Sequence, residues 1–400
     1  GLFLSREIIE KHGGTIMVSG KHNNWSVSTN TGANLLDPGK TPAENIQFLV
    51  FLMAVIKAVD EYADMMRISA SGAGNDHRLG ANEAPPAIVS IFIGDELTEI
   101  LKSIEEDKFF SEHKATQMEI GAHVLPHFIK DTTDRNRTSP FAFTGNKFEF
   151  RMLGSSASVA SPNVVLNTAV AEALAQFYKE LEGTAPEDME KAVHELIKRA
   201  IKKHKKVIFN GNGYTDEWIK EAEKRGLYNL VSTPDALPQF IADKNVELFT
   251  KHGVFTKEEI YSRYEILLEN YAKTINIESK TLQEMLTKDL IPAVNSYAAE
   301  VAANANEKKA LIPDLAVDEE ETLVKDLTKA SNTLVSKVAE LKAVTLKAEA
   351  EEDMQKAADA FHRDVLTLMD EMKAVANEAE EKIPDEELPY PTYDQMLFYI

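Results

Sequence analysis

Apolar and polar positions alternate with a period of two at two places in the first half of the chain; from about residue 163 onward the pattern is mostly helical. The first alternating stretch is SGKHNNWSVSTN, residues 19–30. In a strand, successive side chains point to opposite faces. His22, Asn24 and Ser26 then share one face, and Asn23, Trp25 and Val27 the other. The second is FEFRM, where Phe148, Phe150 and Met152 point one way and Lys147, Glu149 and Arg151 the other. Thr41, Pro42 and Glu44 read as an N-cap, a first-turn proline and a capping-box acid, and they predict a helix over about 42–67. Residues 71–95 read as loop, with Gly, Asn and Pro scattered through them, and residues 96–130 as a charged helical stretch.

The composition shifts near residue 183 toward Ala, Glu, Lys and Leu. Leu327, Leu334 and Leu341 recur every seven residues, and Phe361, Val365, Leu368, Met372 and Val375 at alternating steps of four and three. Both runs suit amphipathic helices or a coiled-coil seam. They fit an antiparallel hairpin turning near 349–353 or, since no Gly or Pro marks a turn, one continuous helix. The expected fold class is therefore α+β, with a long, mainly helical extension.

Charge narrows the partners. The 400 residues carry a formal net charge of -21, whereas nucleic acids and anionic membranes call for a basic surface, so neither is expected as the main partner. The basic run KRAIKKHKK (198–206) reads as a solvated helix face. With no cysteine, disulfides and thiolate chemistry are excluded. The apolar run FLVFLMAVI (48–56) is too short to cross a bilayer. No signal peptide is visible, so a cytoplasmic location is expected. Because the chain opens on Gly1, it reads as a piece of a longer protein.

Four segments concentrate side chains suited to chemistry. These are the His22, Asn24, Ser26 face; the loop HRLGANEAP (77–85) with Arg78 and Glu83; DRNRTSP (134–140) with Arg135 and Arg137; and NKFEFR with Lys147, Glu149 and Arg151. An acid between two bases on one strand face can hold a divalent cation by its carboxylate and phosphate oxygens by its cations. Cross-strand salt bridges are the alternative, worth about 0.2–1 kcal/mol per pair. His123 and His127 lie four apart, but Pro126 between them and the missing HExxH context argue against a metal pair.

In this order the four segments resemble glutamine synthetases. GKHNNWS is similar to that family's Gly-x-His-x-(His/Asn)-x-Ser strand, HRLGANEAP to its Arg-Leu-x-x-x-Glu-Ala-Pro loop, and NRTSP with KFEFR to its Asn-Arg-Ser segment and (Arg/Lys)-x-Glu-x-Arg strand. The helix-rich remainder, with its closing YPTY, resembles the long bacterial type III form. The resemblance implies part of a catalytic domain over 21–183, with helices and a curved antiparallel sheet, and a helical extension over 184–400. It implies ATP-dependent amidation of glutamate through a γ-glutamyl phosphate, with ATP and Mg²⁺ or Mn²⁺, glutamate and ammonium, and identical subunits in a ring-like homo-oligomer. By resemblance, His22 and Glu149 ligate the metal, and Asn24, Ser26 and Lys147 line the ATP pocket. Arg78 binds the glutamate α-carboxylate, Arg137 and Arg151 neutralise the transferring phosphoryl group, and Glu83 takes a proton from ammonium.

Three features depart from the family's pattern. Ala142 stands where many relatives carry a second arginine; Met17, Val18, Ser19 and Gly20 replace an Asn-Gly-x-Gly turn; and the family's first metal-binding glutamates lie upstream of anything present. Half a metal site is therefore expected, with little turnover from this chain alone. A non-catalytic scaffold or regulatory subunit, or another ATP-dependent carboxylate–amine ligase, are the alternative expectations. Residues 1–20 resemble the end of a histidine kinase ATP-binding domain, with Gly-Leu-x-Leu, a helix and His-Gly-Gly. They read equally as an amphipathic helix ended by Gly13-Gly14.

Overall fold

A computed structural model describes residues 22–81, 84–106, 117–118, 128–129, 137–154, 157–392 and 395. The chain divides into two units, Gly1–Tyr264 and Glu265–Ile400. It is mixed α and β, mostly helical, with a small sheet.

The first unit is built around four short strands: β1 (Asn23–Trp25), β2 (Ile91–Phe92), β3 (Phe141–Phe143) and β4 (Phe148–Phe150), in the order β1-β4-β3-β2. The pairs β1/β4 and β4/β3 are antiparallel, while β3/β2 is parallel. The sheet is therefore mixed, where an antiparallel one was expected. The long connection between β2 and β3 gives the chain room for the crossover that a parallel pair requires.

The register sorts the side chains. Asn23, Phe150 and Phe141 lie in one row, and Trp25, Phe148 and Phe143 in another. The four phenylalanines are buried together; Phe141 stacks on Phe148 at 4.7 Å, and Phe48 of α1 (Ile46–Glu61) meets Phe143 at 5.9 Å. The two polar-tipped members of this face are satisfied by one helix, α4 (Ala160–Leu181). Asn23 donates to Asn163 and the Trp25 indole to Asn167, each at 2.8 Å. Asn163 and Asn167 are one helical turn apart, so they reach neighbouring positions of β1. Holding Asn23 and Trp25 inward turns His22, Asn24 and Ser26 to the opposite, exposed face, as the alternation predicts.

Around the sheet, α1 packs against α4 and against α5 (Met189–His204), while α2 (Ala63–Ser69) lies on α4 and α3 (Gly94–Glu105) on α5. The helix predicted over 42–67 is two helices, and its cap is Asn45, whose side chain accepts from Phe48 N at 3.0 Å. Tyr62, at φ -123 and ψ 29, leaves helical geometry and separates α1 from α2. In the stretch predicted as helix over 96–130, α3 ends at Glu105 and Gln117–Met118 pairs antiparallel with Phe128–Ile129. Gly121 and Pro126, both helix breakers, fall between those two strands in the sequence. Among the described residues, no helix is long and apolar enough to cross a membrane.

In the second unit, Leu327, Leu334 and Leu341 are fully buried along the helix Asp318–Glu349. The return path is Met354–Ala360, a π-helical turn Phe361–Leu366, and Thr367–Glu380. Lys337 pairs with Glu371 and Asp326 with Lys382, so the two runs are antiparallel. The turn forms without Gly or Pro because Asp353 caps the returning helix, accepting from Lys356 N at 3.0 Å. Val375 is only half-buried, and Ala376 takes the inner position.

Candidate active site

The central row of the sheet face opposite the phenylalanines is Asn24, Glu149 and Ala142, directly across from one another on β1, β4 and β3. Glu149 sits in the middle of it and is buried. Its Oε2 accepts from Arg151 Nε at 3.2 Å and from Arg151 Nη2 at 3.0 Å. The same oxygen lies 3.6 Å from His22 Nδ1, whose side chain is half exposed. One carboxylate oxygen thus gathers an imidazole and a guanidinium. Arg151 N in turn donates to Pro140 O at 2.9 Å, tying the end of β4 to the segment that follows Arg137.

A divalent cation can be tested against this donor set. His22, just before β1, and Glu149 of β4 converge at 3.6 Å, and the imidazole is half exposed, so an imidazole and a carboxylate stand where an ion could join them with phosphate oxygens and water. Mg²⁺ prefers oxygen ligands such as the carboxylate and substrate phosphates, whereas the imidazole is also comfortable on Mn²⁺. Among the described residues, no group of three or more His, Asp or Glu is placed to hold an ion alone. The residues fit one share of a metal site.

The remaining candidates divide. Ser26 Oγ lies 2.7 Å from Asn34 Oδ1 and 3.1 Å from Asn146 O, and Asn34 Nδ2 also donates to Asn146 O at 2.7 Å. Ser26 therefore helps lock the β3–β4 turn, which carries the half-buried Lys147. Arg78 follows the short helix Ala73–Asp76. Its Nη1 donates to Asn75 Oδ1, and Asn75 Nδ2 donates to Met152 O at 2.9 Å, just beyond β4. Gly154 lies beside this pair: a Cβ there would stand 3.4 Å from Arg78 Nη1 and from Asn75 Oδ1, an ordinary contact distance. The loop carrying Arg78 is anchored by Arg67, which is 1% exposed. Arg67 pairs with Asp76 at 2.8 Å and donates to Leu230 O and Val231 O, while Asp76 accepts from Thr233 N and Oγ1. Arg137 is exposed, one residue before Thr138. Glu83, Arg135, His123, His127 and residues 1–20 lie outside the described residues.

The basic run 198–206 is a solvated face, as its composition suggests, with Arg199, Lys202, Lys203, Lys205 and Lys206 exposed; His204 is the exception. His204 is buried, with Nδ1 2.8 Å from Asp60 Oδ2, and Lys205 pairs with Glu105 at 2.7 Å. Lys206 and Lys203 reach Asp60 and Glu61. The run is matched to acids of α1 and α3.

Residues 192–309 match the family model of the glutamine synthetase C-terminal domain. The chain is 50% identical over 381 residues to a glutamine synthetase of Butyrivibrio fibrisolvens, covering 95% of this chain and 54% of that protein. It is 39% identical over 386 residues to the type-3 glutamine synthetase of Dictyostelium discoideum, covering 95% and 52%. A glutamine synthetase of Bacteroides fragilis is 36% identical over 391 residues, at 95% and 53%. This chain is a relative of the glutamine synthetases. It spans about half the length of the curated relatives it matches.

Ala142 is one of the departures named above. It sits fully buried beside Glu149, where it brings no charge to the row. Asn75 and Asn34 support the candidate side chains and were not singled out by sequence reasoning. The clearest overlooked signal is FNGNGYT (209–215), two Asn-Gly steps between amphipathic helices that mark a built turn.

Proposed function

We propose that the chain contributes one side of a glutamine synthetase active site and that the protein amidates glutamate with ATP and ammonium. The observation that carries this reading is the meeting of His22, Glu149 and Arg151 at one carboxylate oxygen. It lies on a sheet face whose flanking segments resemble the family's. A divalent ion held by His22 and Glu149 would offset the charge of the ATP phosphates.

The protein's own residues have positioning and charge-neutralising work to do, which is most of what phosphoryl transfer requires. Arg78 holds the α-carboxylate of glutamate by a two-pronged hydrogen bond. The γ-carboxylate oxygen attacks the terminal phosphorus of ATP, the bond to the bridging oxygen breaks, and ADP leaves. Arg137 and Arg151 balance the charge on the moving phosphoryl group, with Asn24, Ser26 and Lys147 lining the nucleotide side. Glu83 accepts a proton from ammonium. The freed ammonia attacks the acyl carbon, and phosphate departs with the electrons of the C–O bond. Residues 21–183 supply these groups and 184–400 the helical extension. A cytoplasmic ring of identical subunits is part of the same proposal.

The test is ATP-, Mn²⁺- and glutamate-dependent phosphate release with hydroxylamine in place of ammonia, on this chain and on the full natural protein. We expect little turnover from the chain alone. In the full protein, Glu149→Gln should lower turnover roughly a hundredfold. A Glu149→Gln variant that turns over as fast as the unsubstituted full protein would reject the assignment. A full protein with no turnover would favour a scaffold or regulatory role.

A further inference from the structure

The segment Phe209–Thr215 has no role in the reading above, yet it touches two of the site's loops at once. Its start is fixed to the sheet edge farthest from β1. Ile208 bridges Ile91 of β2, and Phe209 N donates to Ile91 O at 2.8 Å. Asn210 closes on the start of α3: Oδ1 accepts from Ile93 N and Gly94 N at 3.2 Å each, and Nδ2 donates to Thr98 at 2.8 Å. Behind it, Phe209 stacks on buried Trp218 at 3.7 Å.

From this base the segment reaches toward the site. The Tyr214 hydroxyl donates to Ala84 O at 3.2 Å. Gly80 N, two residues after Arg78, donates to the same Ala84 O at 3.2 Å and to Pro85 O at 3.1 Å. Burial pushes the Tyr214 phenol pKa up, so it stays protonated and able to donate through neutral pH. Gly213, one residue earlier, is buried and donates its N–H to Thr138 Oγ1 at 2.8 Å. A Cβ on Gly213 would stand 2.9 Å from Thr138 O and 3.5 Å from Pro86 Cδ. The first of these is a backbone atom, so it cannot move aside without moving the turn that holds Arg137.

We propose that Gly213 and Tyr214 are positioning residues for the amidation: Tyr214 sets the base of the Arg78 loop, and Gly213 sets the turn that carries Arg137. This rests on the roles given above to Arg78 and Arg137. It makes a kinetic distinction, because the two residues act on different parts of the reaction. On the nucleotide side, Asn24 lies on β1, at the other edge of the sheet. Three strand spacings, about 14 Å, separate that edge from β2.

The test is steady-state kinetics of the full natural protein with Tyr214→Phe and with Gly213→Ala. It is paired with hydrogen exchange of peptides covering residues 78–81 and 137–139. Tyr214→Phe removes one hydrogen bond and keeps the ring. It should raise the KM for glutamate roughly three- to tenfold while the KM for ATP stays within about twofold, and speed exchange at 78–81. Gly213→Ala should instead lower kcat by roughly tenfold or more, because it displaces the Arg137 turn, and speed exchange at 137–139. Parental kinetics and parental exchange in both variants would overturn the proposal. A fall in apparent kcat proportional to lost folded protein, with both KM values at the parental level, would also overturn it. If the parent shows no turnover, the functional reading falls. Exchange then decides the positioning by itself: faster at the two segments supports it, and unchanged exchange overturns it.

Discussion

Removing the Glu149 carboxylate should do more than weaken a metal site; it should loosen the fold. Glu149 and Arg151 keep only 9% and 3% of their side-chain surface exposed, and two Arg151 nitrogens donate to one Glu149 oxygen. Taking one partner from a buried pair leaves a desolvated charge behind, at a cost of about 3 kcal/mol or more. Glu149→Ala should therefore lower the stability of the first unit by about 3 kcal/mol. Glu149→Gln keeps a carbonyl oxygen in reach of Arg151. It exchanges an ion-pair hydrogen bond for one between a cation and a neutral oxygen, so it should cost less than Glu149→Ala. Adding Arg151→Met to Glu149→Ala should recover part of the loss, because the buried cation that faced the carboxylate is removed with it. Urea unfolding reads this directly, since Trp25 and Trp218 both lie in the first unit and report on it alone. A Glu149→Ala midpoint equal to that of the parent, or a double variant weaker than the single, would refute the argument.

Three further outcomes follow from other contacts. Burial tends to raise the Glu172 carboxyl pKa, but hydrogen bonds from Lys251, Gln176 and His252 outweigh it and hold the value at about 2, against 4.5 ordinarily. The stability this confers is present above pH 4.5 and is lost as pH falls toward 2. The urea midpoint of the parent should therefore drop more steeply than that of Glu172→Gln across that window, and equal slopes would count against the network. In the second unit, Ser279 Oγ and Thr345 Oγ1 are buried 2.8 Å apart. Ser279→Ala should cost about 1–3 kcal/mol by circular dichroism melts, and Ser279→Ala with Thr345→Val less than the two single losses added. Asp353→Ala should cost about 1 kcal/mol through the lost cap of the returning helix, read by the same melts.

What was legible in the sequence depended on periodicity. The alternation through His22, Asn24 and Ser26, and through Lys147, Glu149 and Arg151, fixes which faces those side chains take, because a strand side chain has only two choices. The Leu327, Leu334, Leu341 seam is equally direct. Boundaries were less legible. Asn45 rather than Thr41 caps α1, and both are acceptable capping residues, so only the packing of the apolar run on the sheet decides between them. The turn at Asp353 escaped because it uses an N-cap in place of Gly or Pro. Charge composition predicts the exposure of Lys202, Lys203, Lys205 and Lys206, but not the burial of His204 on Asp60, a pairing across 144 positions that no local pattern reveals. The same holds for Tyr214 and Ala84, 130 positions apart.

The most direct measurement of the central claim is a Mn²⁺–ATP binding titration of this chain followed by electron paramagnetic resonance, with the parent and with His22→Ala. It needs no turnover from a chain that spans half its relatives. Weakening of roughly tenfold or more on loss of the imidazole is the predicted result. Equal binding by parent and variant would mean that the His22–Glu149 face is not where the metal and nucleotide sit.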